Sequence, residues 1–121
     1  MSDWMNTKEY FITYSIMINA AQHGGVATYQ EIAQANGFPL VGSYMGKVMG
    51  ELVGLVSENE VNQGRPMMSS IVVSVSGKPG EGYYTLAREL GLLHEGEDEE
   101  VFWRRECEKV YEAWKKPYRT K

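Results

Sequence analysis

Glycine recurs at every fourth position in the stretch GSYMGKVMGELVG, at Gly42, Gly46, Gly50 and Gly54. Between the glycines, Tyr44, Val48, Leu52 and Val56 keep helical spacing, and Met45, Met49 and Val53 make a second apolar row beside them. At 3.6 residues per turn these two rows form one core face. The glycines then fall on its shoulder, next to the water-facing row Ser43, Lys47 and Glu51. Glycine inside a helix costs about 1 kcal/mol relative to alanine, so the stripe marks backbone that something approaches closely. The first expectation is that the first or last helix packs there, because close helix packing requires small residues. The other is that a ligand or a nucleic-acid backbone comes up to it.

The rest of the chain supplies a context for that helix. Residues 3–22 read as a helix with Trp4, Phe11, Tyr14, Ile18 and Ala21 on its apolar face, ended by Gly24-Gly25. Thr28-Tyr29-Gln30-Glu31 has the form of a capping box opening a short helix over 29–35, stopped by Gly37 and Pro39. The glycine-bearing helix is predicted over 43–57, and SENEVNQGRP as a polar break after it. MMSSIVVSV reads as a strand around 68–76, GKPGEG as a turn, and YYTL as a returning strand over 82–86. ARELG reads as a short helical stretch. A last helix over 98–116 carries Trp103, Cys107, Val110 and Trp114 on its buried face, with an acidic start and basic end that suit the helix dipole. Three helices followed by a hairpin is the order of a winged helix. The expected fold is therefore α+β: a three-helix core with a β-hairpin wing, plus a C-terminal helix, in one domain over 1–121.

At this point VATYQEIAQANGFPLVGSYMGKVM resembles the DNA-binding domain of the alkylguanine-DNA alkyltransferases and their catalytically dead alkyltransferase-like relatives. Thr28, Tyr29, Ile32, Ala33, Gly37, Pro39 and Gly46 occupy the matching places, over about a quarter of the chain. That family's reactive cysteine lies in a Pro-Cys-His-Arg segment, whereas RPMMSSIVV here has neither Cys nor His. The arginine that the family inserts into the base stack would fall near Ser43. The resemblance thus implies DNA binding without alkyl transfer. The second half is also similar to uncharacterised bacterial and phage proteins, some linked to HNH nucleases or restriction functions. Arg65, Pro66, Val72, Val73, Gly77, Pro79, Gly80, Gly82 and Tyr83 carry that likeness.

Chemistry is sparse. His23 and His94 stand far apart and no Cys or His pair has ligand spacing, so no metal or other cofactor is expected. Cys107, the single cysteine, sits between two tryptophans and reads as core, and no disulfide framework exists. Residues 1–20 lack the basic start and apolar centre of a signal peptide, no run is long enough to span a bilayer, and a reducing cytoplasm is the expected setting. An enzyme is not expected. The leading function is a winged-helix nucleic-acid-binding module, DNA first, of phage or bacterial defence context. Its contacts would be Tyr29 and Gln30, then Ser43, Tyr44 and Lys47 at the start of the recognition helix, with Lys78 and Tyr83 on the wing. Against it stands charge: 12 basic against 16 acidic residues, with only Lys8, Lys47, Arg65, Lys78 and Arg88 before residue 95. DNA affinity comes largely from neutralised phosphates. The alternative is accordingly a protein-binding inhibitor or immunity-type module on the same fold. Neither reading fixes an oligomeric state.

Overall fold

Thr7 opens the first helix by accepting a hydrogen bond from the Tyr10 N–H, and α1 runs Lys8–Gln22. In this computed structural model, which describes residues 3–39, 43–80 and 82–116, α1 buries Tyr10, Thr13, Met17 and Ala21. The helical period is as predicted, but the register differs. Phe11 is 55% exposed, while Tyr14 and Ile18 flank the core. Trp4 lies in a turn ahead of the helix, with Asn6 at φ 65°, so a phase counted from Trp4 crosses a break in the helical backbone.

The chain leaves α1 through Gly24 in left-handed backbone, at φ 70°, and enters β1, Ala27–Thr28. Thr28 then caps α2, Tyr29–Ala35, and the capping box forms as predicted. The Glu31 N–H donates to the Thr28 hydroxyl at 3.0 Å, and the Thr28 N–H donates to the Glu31 carboxylate at 2.8 Å. A cap of this kind contributes about 1 kcal/mol. Gly37, at φ 75°, ends the second helix as expected.

The third helix, α3, spans Ser43–Asn62 and buries Val48, Met49, Leu52, Val53 and Val56. It continues past the predicted end at residue 57 because the polar stretch turns inward and is paired. Ser57 accepts from the Ser69 N–H at 2.7 Å. Glu60, fully buried, accepts from the Arg65 guanidinium at 2.9 Å, from the Tyr14 hydroxyl and from the Trp114 indole.

Beyond α3 the wing takes a different form from the one predicted. Met68–Ile71 make one 3-10 turn, and β2 is only Val72–Val73. It pairs with β1 in parallel, Ala27 opposite Val72 and Thr28 opposite Val73. Residues 82–86, expected as a returning strand, instead open α4, Gly82–Glu89. A half-exposed hairpin strand alternates buried and exposed side chains, whereas residues 67–73 are all buried. Such an unbroken run does not distinguish strand from helix by period. In YYTLARELG the buried pair Tyr83 and Ala87 stands at helical spacing. The result is a winged-helix-like α+β architecture, with five α-helices and one two-stranded sheet among the described residues. A parallel pair and a helix take the place of the β-hairpin.

Asp98 caps α5, Glu99–Trp114, whose buried line is Phe102, Glu106 and Val110. Trp103, Cys107 and Trp114, expected as its inner face, flank that line. The Trp103 indole and the Cys107 thiol both donate to the Ser70 carbonyl, at 2.8 and 3.3 Å, and Glu106 accepts from the Met67 N–H at 3.0 Å. The main core includes Met17, Ile32, Leu52 and Val110, and a smaller cluster joins Met67, Tyr83, Ala87, Leu93 and Phe102. Each fully buried side chain of Met17, Ile32 or Leu52 size contributes about 1.5–3 kcal/mol. No helix among the described residues is long and apolar enough to cross a membrane.

Candidate functional site

Glycines spaced by four leave one side of α3 without side chains, and the fold leaves that side open. Among the described residues, a Cβ added at Gly46 or Gly50 would meet nothing within 4 Å, and one at Gly54 would meet Leu86 at an ordinary 3.6 Å. Gly42 lies outside the described residues. The close helix packing expected of the stripe is therefore absent at Gly46 and Gly50. The stripe lines a groove of about 920 Å³ instead. Clefts that hold small molecules span about 300–1,000 Å³.

The other walls come from α2 and from the segment leading into α4. Tyr29, the first residue after the Thr28 cap, stands in the groove with Gln30 and Ala33. Burial pushes the Tyr29 phenol above its ordinary range, partly offset by a hydrogen bond from the Gly80 backbone N–H. A Cβ at Gly80 would lie 2.6 Å from the Tyr29 hydroxyl, so only glycine lets the loop cross that ring undisturbed. Ahead of it, the Ser74 N–H donates to the Lys78 carbonyl and the Gly77 N–H to the Ser74 carbonyl, both at 2.9 Å, folding the loop into a tight turn.

Ser69 lines the groove and is 4% exposed. Its N–H is held by Ser57, but its Oγ has no hydrogen-bond partner among the described residues. An unpaired buried hydroxyl costs about 1–3 kcal/mol. The adjacent Ser70 is satisfied: it donates to the Met67 carbonyl at 2.7 Å and lies 2.5 Å from the Tyr83 hydroxyl. Among the described residues, the charged groups lining the groove are Lys47, Glu51 and Glu58, one cation against two carboxylates.

Of the contact residues predicted from sequence, Tyr29, Gln30, Lys47 and Tyr83 come together in the groove. Tyr83 is not the exposed wing residue expected. It is 4% exposed, engaged with Ser70, and burial drives its phenol far above the ordinary range, because α4 replaces the hairpin strand. Lys78 is exposed on the loop and does not line the groove. Its charge acts on Glu100 at the start of α5, where Arg104 first and Lys78 next hold the carboxyl below its ordinary range. Ser43 and Tyr44 open α3, and their side chains lie outside the described residues. The sequence reading missed Ser69, Gly80 and Glu58. Two adjacent hydroxyls inside the apolar run MMSSIVV were the available signal for the first.

Cys107 is half-buried, with its thiol pushed up to about 11 by burial and then by Glu106. Among the described residues there is no group of three or more His, Cys, Asp or Glu placed to hold a metal ion. No protein-family model, curated protein or solved structure matches the chain at a significant level.

Proposed function

We propose that this protein is a non-enzymatic winged-helix-like module that binds nucleic acid, DNA first, through the face formed by α2 and the first half of α3. The observation that carries this reading is the uncovered backbone of α3 at Gly46 and Gly50, flanked by exposed Lys47 and Gln30. A phosphate backbone can approach such a surface to contact distance, and Lys47 supplies the charge. The resemblance of VATYQEIAQANGFPLVGSYMGKVM to alkyltransferase-like DNA-binding domains supports the same face, and a phage or bacterial defence setting in the cytoplasm belongs to the same proposal. A non-enzymatic role fits the site's chemistry. The Ser69 hydroxyl has no hydrogen-bond partner among the described residues, the Ser70 hydroxyl is engaged, and the Cys107 thiol stays protonated at neutral pH.

With few basic residues available, about two to four phosphates are neutralised, so log Kd plotted against log salt has a shallow slope, of magnitude about 2–4. Lys47→Ala flattens that slope by about one unit, and Lys78→Ala does so only if the loop also reaches the duplex. A titration of short duplex and single-stranded DNA at several salt concentrations measures this. Absence of binding tighter than about 100 μM at low salt, weaker than ordinary non-specific affinity, overturns the reading. A protein partner then leads, as the apolar lining of Met49, Val53 and Leu86 beside Glu51 and Glu58 favours.

A further inference from the structure

We propose that Asn36-Gly37, at the end of α2, is a modification site: it deamidates spontaneously when α2 lifts from α1 and stays closed while the two helices are packed. Asn36 is the one asparagine of the chain that a glycine follows. Glycine has no Cβ to shield its backbone nitrogen, so the Gly37 nitrogen can reach the Asn36 side-chain carbonyl carbon. That nitrogen attacks Cγ and gives up its proton, and the Nδ2 group leaves as ammonia. Water then opens the five-membered imide at either of its carbonyls, leaving aspartate or isoaspartate at position 36. No further reactant is required.

In the folded chain the reacting atoms are held apart. Asn36 has ψ −2°, which places the Gly37 nitrogen beside the Asn36 backbone nitrogen, whereas ring closure needs it beside Cβ. The nucleophile is tied down, because the Gly37 N–H donates to the Gln34 carbonyl at 3.1 Å. The leaving group is tied as well: Nδ2 donates to the Thr13 hydroxyl of α1 at 3.2 Å and to the Ile32 carbonyl at 2.9 Å. Beyond them the Phe38 N–H donates to the Ala33 carbonyl at 2.9 Å, and the Phe38 ring stands edge-on to Trp4. α2 is seven residues long and buries two of them, Ile32 and Ala33. A segment with so few buried contacts opens locally at lower cost than the whole molecule.

Once the reaction has occurred, the old packing is lost. Asn36 Oδ1 is closed off from solvent with no hydrogen-bond partner among the described residues, and Thr13 is fully buried. A carboxylate in that place meets the Ile32 carbonyl acceptor against acceptor, with the Thr13 hydroxyl left to donate. A buried charge so poorly paired is costly, so the end of α2 does not settle back on α1. Tyr29 and Gln30 stand at the head of the same helix, and each modified molecule holds the α2–α3 face less firmly. The inference does not depend on what that face binds.

The experiment incubates the protein at mildly alkaline pH, folded and in urea, and follows the exchange of the Asn36 amide for a carboxyl by peptide mass spectrometry. The folded protein is expected to react at least about tenfold more slowly than the unfolded chain. Thr13→Val keeps the side-chain shape but removes one acceptor of Nδ2. It should speed the folded reaction about fivefold, the net worth of one hydrogen bond, and leave the rate in urea unchanged. Phe102→Leu, in the smaller core cluster, controls for general destabilisation and should lower Tm without speeding the folded reaction. Asn36→Asp, the product, should melt below the wild type. The proposal is overturned if folded and unfolded rates agree within about twofold, or if Thr13→Val leaves the folded rate unchanged. It is equally overturned if Phe102→Leu speeds the reaction as much as Thr13→Val, or if Asn36→Asp is as stable as the wild type.

Discussion

At Gly50 the helix carries the full cost of glycine with no contact to compensate for it. Its backbone is helical, a Cβ there would meet nothing within 4 Å among the described residues, and it faces the groove. Gly50→Ala is therefore expected to stabilise the free protein by about 0.8–1 kcal/mol, seen as a rise of about 3–5 °C in Tm. Had a neighbouring helix packed on the stripe, the same change would lower Tm through overpacking, so a fall would show that the groove is filled in solution. The same variant narrows the strip along which a ligand would lie, and loss of binding together with gained stability would mark Gly50 as kept for a partner. Gly80 is the contrasting case, since there a side chain would run into the Tyr29 hydroxyl at 2.6 Å.

Three helices meet at Glu60. Tyr14 reaches it from α1 and Trp114 from α5, and Arg65 closes the carboxylate with two hydrogen bonds of 2.9 Å from just beyond α3. Removing one partner of a buried pair leaves an uncompensated charge, at about 3–5 kcal/mol. Because the Arg65 side chain is 39% exposed while Glu60 is fully buried, water can partly take its place. Arg65→Ala is thus expected to cost about 2–3 kcal/mol by urea unfolding, with Arg65→Lys restoring only part because an ammonium cannot bond both oxygens in fixed geometry. A cost below about 0.5 kcal/mol, the range of an ordinary surface pair, would show that the network does not hold the helices. This clamp was not legible in SENEVN, where five polar residues read as solvated chain. Only the long-range partners Tyr14 and Trp114 turn Glu60 inward, and spacing along the chain does not reveal them. Elements set by local chemistry were legible: the Thr28 capping box, the stop at Gly37, and the apolar rows of α3. The strand-or-helix choice for residues 68–86 depended on what the segment packs against. For the same reason the groove could be anticipated at Lys47, Tyr29 and Gln30 but not at Ser69.

For the whole molecule, burial of hydroxyls and of the single thiol sets the response to alkali. Burial is the first cause raising Tyr10, Tyr14, Tyr29, Tyr83 and Tyr111, and also Cys107, whose thiol moves from 9.0 to about 11. Each raised group keeps its neutral form longer folded than unfolded. Its contribution is complete below the unfolded value and is lost as pH climbs through the window up to the folded one. For Cys107 that window is 9.0 to about 11, and for the tyrosines it opens at 10.0. The urea midpoint is expected to be level from about pH 7 to 8.5 and to fall steadily above 9. A midpoint still level at about pH 10.5 would mean that these groups ionise freely in the folded protein. The parallel pairing of Ala27–Thr28 with Val72–Val73 has a consequence in time. The α2–α3 face is synthesised between the two halves of that clasp, and Ser69, Ser74, Gly80 and Leu86 of its groove all come after α3. At about 5–20 residues per second, the ribosome takes roughly 1.5–6 s to go from Met49 to the loop that crosses Tyr29. Through that interval Met49 and Val53 lack their cover, so the nascent chain presents an apolar row to chaperones before it can present a binding site to anything else.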